Sequence, residues 1–400
     1  MEPSWKLDIY KDWNEIDDPS FQEQWQRWYD AAPEANVFSQ PLLVKTWTDC
    51  YRAFQNVQPL YCVARTGDTT FFLPLVVWQR NWKNAFLTLV VPAGYSDYDY
   101  HDPLVAGTCT TSLMNSFWTL IVQQVLAGHN CDTYDQIDLN GIRFFGLQPC
   151  WEQEESCPFI DMGRYADFQD YFERLGKNLR KDIRRKKRLL DACGSLEFHV
   201  YGRQELDRAM RVFPQFLEAH TRRWPNAFKA PGFHEAMLRN GLPSGLVHFS
   251  EMRIDGAPVS WEIGFRERSK AYSYMPAYQE DYADHSPGKV HLALLVEECF
   301  QRGIRVFDFM RGAEEYKESW TDSTIHVHRY RKIADSLSSR MKIVVHQAFN
   351  SVKTLIGASP VCFVAAGLLK KLDLLLRTLF IYNAESAEFF MDVAGCAFLG

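Results

Sequence analysis

The chain has 400 residues, of which 46% are apolar and 24% charged, the range of ordinary globular proteins. This excludes a disordered, collagen-like or coiled-coil chain, and the length suits two or three domains. Lys plus Arg total 44 against 50 Asp plus Glu, a formal charge of −6, which disfavours a nucleic-acid partner except where cations are gathered locally. None of the ten cysteines forms a C-x2–4-C pair, so no metal site is expected. Residues 1–13 lack a basic start followed by an apolar run, so no secretory leader is read there. Reduced thiols and a cytoplasmic location, with membrane association as a variant, are the expectation.

In chain order, residues 4–10 alternate as a strand. A helix carrying Phe21, Trp25 and Trp28 follows, and Pro41 opens a second. Strand-like runs at 59–66 and 69–79 flank the turn pair Gly67-Asp68, and another run ends at Pro92. The loop at 94–103 leads to a long apolar-periodic helix from Thr111 and then a strand at 134–142. This mixed α/β (α+β) unit is expected to end near 162. Beyond it, one helix is expected over 165–192, stopped by Gly194. A short strand, a helix bent at Pro214 and a shorter helix come next. Three strand-like runs then lie within 246–279, followed by a loop, a helix and a strand at 304–312.

The two halves repeat. Tyr95, Asp97, Tyr98, Asp99, His101 and Pro103 precede a helix and Ile137-Asp138-Leu139. Tyr278, Asp281, Tyr282, Asp284, His285 and Pro287 precede a helix and Phe307-Asp308-Phe309, the two strand aspartates being 170 positions apart. An internal duplication accounts for five elements matching in order. The last 60 residues read as a helical tail. Within it, 361–369 is too short an apolar run to span a bilayer and Lys370-Lys371 interrupt it. It packs on the core or a partner, or lies on a membrane surface with Leu372, Leu375, Leu376 and Leu379 inserted.

Four segments carry candidate chemistry. Ser286-Pro287-Gly288-Lys289 sits between a strand and a helix, where unpaired N–H groups and the helix dipole favour a phosphate. Asp308 lies in an apolar strand, where burial demands a hydrogen-bond partner or a role as a site acid; Tyr316 and Lys317 follow it as donors. Residues 177–188 hold eight Lys or Arg and one Asp, and Lys177, Arg180, Lys181, Arg184, Lys187 and Arg188 can form one anion-binding face. Trp224 or His220, in the segment 220–225 at a helix end, reads as a substrate wall. No serine elbow, Walker loop or H-E-x-x-H is present.

Taken in order, several motifs resemble the GNAT-like acyltransferases of the CelD (cellulose-biosynthesis) type, relatives of the Fem-type tandem-GNAT aminoacyltransferases. They are Phe38-Ser39-Gln40-Pro41 with Trp47, the basic helix after Tyr171-Phe172, Trp224, Asp255-Gly256-Ala257-Pro258-Val259, Tyr278 with Tyr282, Ser286-Pro287-Gly288, and Phe307-Asp308-Phe309 with Gly312, Tyr316-Lys317 and Trp320. The resemblance covers roughly residues 8–335. It implies two tandem GNAT-like domains (1–162 and 163–338), each a mixed sheet flanked by helices, with the donor site in the second and a helical tail at 339–400. It implies acyl transfer from acetyl-CoA or another acyl-CoA, held by Ser286, Pro287, Gly288 and Lys289, to the amine or hydroxyl of a sugar-type acceptor in exopolysaccharide or cell-envelope assembly. Asp308, Glu262 and His285, in that order, are the expected bases, and Tyr278, Tyr282 or Tyr316 the expected proton donor. The pattern departs from the glycine-rich GNAT phosphate loop in keeping only Gly288. It departs from the Fem type in lacking a long charged helical arm, which disfavours an aminoacyl-tRNA donor. The rival reading is a non-catalytic module docking to a membrane polysaccharide synthase or anionic lipid.

Overall fold

The computed structural model describes residues 3–54, 56–79, 87–126, 134–143, 151–225, 227–312 and 314–357. The membrane-surface reading of 361–379 lies outside them. Strand β1 (Lys6–Tyr10) precedes helices α1 (Trp13–Ile16), α2 (Pro19–Ala31) and α3 (Pro41–Phe54). Asp18 caps α2 by accepting the Ser20 N–H, and Pro19 takes its first position, where the missing N–H costs nothing. Phe21, Trp25 and Trp28 are buried together, as their spacing predicts. Then come β2 (Asn56–Thr66), β3 (Thr69–Gln79), β4 (Thr88–Pro92), β5 (Leu104–Ala106), α4 (Thr111–Leu120), β6 (Gln136–Ile142) and β7 (Trp151–Asp161). The second half contains α5 (Phe168–Arg174), α6 (Lys177–Asp191), β8 (Leu196–Val200), α7 (Leu206–Arg223), α8 (Phe233–Ser244), β9 (Val247–Ile254), β10 (Ala257–Glu267) and β11 (Lys270–Tyr278). It continues with α9 (Pro287–Gln301), β12 (Val306–Asp308), α10 (Glu315–Glu318), β13 (Thr324–Ile333) and α11 (Leu337–Gly357).

The same strand pattern occurs twice. In the first half, β1, β2, β3 and β4 pair antiparallel in sequence and β4 runs parallel to β6. In the second, β8, β9, β10 and β11 do the same and β11 runs parallel to β12. The halves then exchange their last strands. β7, at the end of the first half, pairs with β12, while β13, at the end of the second, pairs with β6. Because β7 and β13 also pair with each other, one mixed sheet runs through both halves in the order β1-β2-β3-β4-β6-β13-β7-β12-β11-β10-β9-β8. Met1–Ser339 forms one compact unit and Arg340–Gly400 a second.

Two local readings are corrected. The single helix expected over 165–192 is α5 and α6, broken where Leu175 turns to extended backbone ahead of Gly176; the break lets Leu175 join Phe172 and Ile183 in the core. Segments 151–161 and 324–333, unassigned from sequence, are β7 and β13. The first is rich in Glu and carries Pro158, a weak strand sequence that is fixed by having partners on both sides.

The exchanged strands bring charges into the middle of the sheet. Arg329 on β13 ion-pairs with Asp138 on β6 and reaches Glu154 on β7 at 3.3 Å. Asp138 also accepts the Tyr95 hydroxyl at 2.6 Å. Arg311, past β12, pairs with the same Glu154 at 2.9 Å. Removing one partner would strand a buried carboxylate, which costs several kcal/mol. Arg329→Ala is therefore expected to lower unfolding free energy by about 3 kcal/mol in chemical denaturation. A loss below about 0.5 kcal/mol, the range of ordinary surface substitutions, contradicts the bracing role.

Candidate active site

β11 and β12 pair over only three residues each, 270–272 against 306–308. Beyond that point β11 continues to Tyr278 while the chain after β12 turns away. The turn is made at Met310, whose φ of 61° is left-handed, a conformation rare for a non-glycine residue. A β-bulge between Ile263 and Gly264 adds to the irregularity of β11 and its neighbour. The divergence opens a cavity of about 1210 Å³. Residues 273–278, residues 309–311, the end of α7 and the start of α9 form its walls, and the 95–99 loop closes it from the first half.

Glu262, on β10, lines this cavity although its side chain is almost fully buried. Its Oε1 has no hydrogen-bond partner. Burial raises its pKa to about 7, against the opposing effects of the Ser273 hydroxyl and the Arg266 charge. Asp99, from the first-half loop, is a half-buried carboxyl in the wall. Burial lifts it to about 6, although Arg311 opposes the rise through its charge and through an N–H that Asp99 accepts at 3.0 Å. Carboxyls that titrate near neutrality inside a cavity are placed to exchange protons with a ligand.

Asp308 is held differently. It is buried behind the wall rather than lining it, and burial raises its pKa. Its carboxylate accepts the Met310 N–H at 2.7 Å and the Tyr100 hydroxyl at 2.9 and 3.0 Å. These bonds hold the strained turn at Met310 and tie the first-half loop to the end of β12. Strain of this kind persists only when surrounding bonds fix it.

Of the other residues singled out from sequence, Tyr278, Tyr316, Lys317 and Trp224 line the cavity. Arg223 stacks between the Trp224 and Tyr278 rings, 5.8 and 5.5 Å from their centroids, and donates to the Tyr278 hydroxyl at 3.1 Å. The Tyr316 ring is half exposed, yet burial and the Glu262 and Glu314 charges raise its hydroxyl pKa. The Lys317 ammonium donates to the Arg311 carbonyl at 2.7 Å and pairs with Glu314 at 2.8 Å, bracing the turn. At the start of α9, Ser286 has φ 49° and makes no side-chain cap, Pro287 holds the first position, and Gly288 borders the cavity. A Cβ on Gly288 would lie 3.7 Å from Tyr278, so the helix start and the end of β11 face one another. Lys289 lines the cavity with its ammonium tied to Asp182 on α6 at 2.5 Å. His285 contacts Cys193 at 3.9 Å instead of facing the cavity, and Lys177, Arg180, Lys181 and Arg184 lie outside the lining.

Sequence reading did not single out Asp99, Arg223, Tyr274 or Arg311, all of which line the cavity. The signal for Asp99 in the sequence is the density of Tyr and Asp at 95–101. No group of three or more His, Cys, Asp or Glu among the described residues is arranged to hold a metal. No helix among them is long and apolar enough to cross a membrane.

Comparison with known proteins puts this geometry in context. Residues 177–318 match the acetyltransferase (GNAT) domain model. No curated protein sequence matches the chain. Solved structures that share its fold include the following two. One is the C-terminal domain of an Agrobacterium fabrum protein assigned as a lysylphosphatidylglycerol synthetase, with 11% identity, TM-score 0.50, and 81% of this chain and 94% of that one covered. The other is FemX, with 9% identity, TM-score 0.50, and coverage of 78% and 96%. The diverging parallel pair and the α9 start both fall inside the matched segment, so the chain carries a GNAT acetyltransferase domain there and is an acyltransferase by class.

Proposed function

We propose that this chain transfers an acyl group from an acyl-CoA to a hydroxyl or amine of a sugar-type acceptor, in exopolysaccharide or cell-envelope assembly. The observation that carries this reading is Glu262, a buried carboxyl with a free oxygen and a pKa near 7 in the wall of a large cavity. The CelD-type order of motifs supports the acceptor class. So do the aromatic walls at Trp224, Tyr274 and Tyr278, beside carboxylates that can hydrogen-bond hydroxyls.

The residues at the α9 start suit the donor. Proline at the first position offers no N–H, so Gly288 is the first main-chain donor of the helix. Its lack of a side chain keeps the approach open, with only Tyr278 near. The donor supplies a thioester carbonyl. Glu262, when ionised, takes the proton from the attacking hydroxyl or amine. The β12-facing edge of β11 beyond Tyr272 has no strand partner among the described residues, and its N–H groups are the donors available to a developing oxyanion. Tyr316 carries its proton at neutral pH as any phenol does and is the hydroxyl placed to give it to the leaving thiolate, although burial and two carboxylates raise its pKa and make that proton harder to release. Asp308 acts as a positioning residue, through the Met310 turn.

Glu262→Gln is expected to lower kcat by about 10²-fold or more. It should also remove an acidic limb in which the rate rises with pH through a midpoint near 7. Wild-type turnover in this variant contradicts the assignment. Asp308→Asn should lower turnover about tenfold while leaving that midpoint in place; a displaced midpoint would make Asp308 the base instead. Gly288→Trp should weaken acyl-CoA binding at least about tenfold in calorimetry, since the new side chain fills the approach; unchanged binding moves the donor site elsewhere.

Glu262 also makes a stability prediction. Its folded pKa of about 7 lies above the ordinary 4.5, so the folded state holds the proton more tightly. Stability is then lost as pH rises from the unfolded value through the folded one, by about 3 kcal/mol in all. Gln carries no charge to bury, so Glu262→Gln should be more stable than wild type at pH 8 and close to it at pH 4. An equal or lower midpoint in denaturation at pH 8 contradicts the raised pKa.

A further inference from the structure

Seven of the eight cations of α6 divide into two sets; the eighth, Arg180, is half-buried. Arg185 pairs with Asp182 at 2.9 Å, Lys187 pairs with Asp191 at 3.0 Å, and Lys186 donates to the Asp284 carbonyl. Asp182 and Asp191 are the only carboxylates on the helix, and Asp182 also holds Lys289 of α9. Lys177, Lys181, Arg184 and Arg188 are all exposed. They recur at i, i+4, i+7 and i+11, so they form one straight stripe about 16 Å long. None of their charged groups has an ion-pair partner among the described residues; the Arg184 guanidinium rests 5.1 Å over the Phe172 ring. The apolar face of the helix, Ile183 and Leu190, is buried in the core, so the stripe is held outward by the fold.

We infer that this stripe docks the protein on an anionic phospholipid surface. Four cations in line with no carboxylate between them, on a chain whose net charge is −6, are a local inversion of charge. A plane of headgroups meets only what protrudes. Within a screening length of about 8 Å at physiological salt it feels the stripe more than the net charge behind it. Nothing on α6 favours RNA, because the helix carries no aromatic side chain on which a base could stack. The stripe also lies beside the proposed donor site. Asp182, on the same helix, holds Lys289 at the cavity rim, and Lys186 holds the turn that precedes α9. Docking here is independent of the chemistry in the cavity, and a protein without transferase activity would still bind.

The test is co-sedimentation of the purified full chain with vesicles of phosphatidylcholine alone or phosphatidylcholine mixed with phosphatidylglycerol. Binding is expected only to the mixed vesicles and should weaken as salt rises. Each alanine at Lys177, Lys181, Arg184 or Arg188 should weaken it about fivefold, and the quadruple variant roughly hundredfold or more. Lys177→Arg with Lys181→Arg should retain it, and unchanged thermal unfolding of all variants shows that these exposed substitutions leave the fold intact. Equal binding to both vesicle types overturns the proposal. So does binding that survives the quadruple substitution, which would be carried elsewhere on the chain. Retention of a transfer-RNA probe with no vesicle binding replaces the lipid by a nucleic acid and equally overturns it.

Discussion

Two parallel strands that separate after three residue pairs leave main-chain donors without partners, and the rest of the site is arranged around that gap. β11 and β12 part beyond Tyr272 and Asp308. Their separation is held by a left-handed residue, Met310, whose N–H is fixed by the Asp308 carboxylate. Without that bond the chain could continue along β11 and close the cavity. The apparent oddity of an aspartate inside an apolar strand is then explained. Its burial is tolerable because Tyr100 and Met310 both donate to it.

The repeated strand pattern places an aspartate in the matching strand of each half, and the two are treated differently. In the second half the gap is open and lined by Glu262. In the first half the corresponding strand aspartate, Asp138, is neutralised by Arg329, which arrives on the exchanged strand β13, and by the Tyr95 hydroxyl. One strand exchange therefore joins the sheets and supplies the charge that neutralises the first-half aspartate. The first half keeps a part in the surviving site through its 95–99 loop, whose Asp99 reaches the Arg311 N–H.

Much of this was legible in the sequence because it is local. The Trp25 stripe, the Gly67-Asp68 hairpin, the strands of the second half and Pro287 at a helix start each follow from spacing or backbone preference. The strand exchange was not legible. β7 contains Glu152, Glu154 and Glu155 along with Pro158, and only its long-range partners make it a strand. The helix break at Leu175 was hidden because the apolar spacing continues across it. At the site, sequence favoured Asp308 for its strand context. What distinguishes Glu262 is an oxygen with no partner, which depends on residues far apart in the chain and cannot be read from neighbours in sequence.

The central claim is that Glu262 remains protonated to near neutral pH because burial in the cavity wall desolvates its carboxyl. The most direct measurement is a carbon-13 NMR titration of the glutamate side-chain carboxyls, with Glu262→Gln assigning the signal. One resonance that titrates near pH 7 and vanishes in the variant is expected. A Glu262 signal that titrates near the ordinary value of 4.5 would contradict the account, since the carboxylate would then be solvated rather than buried.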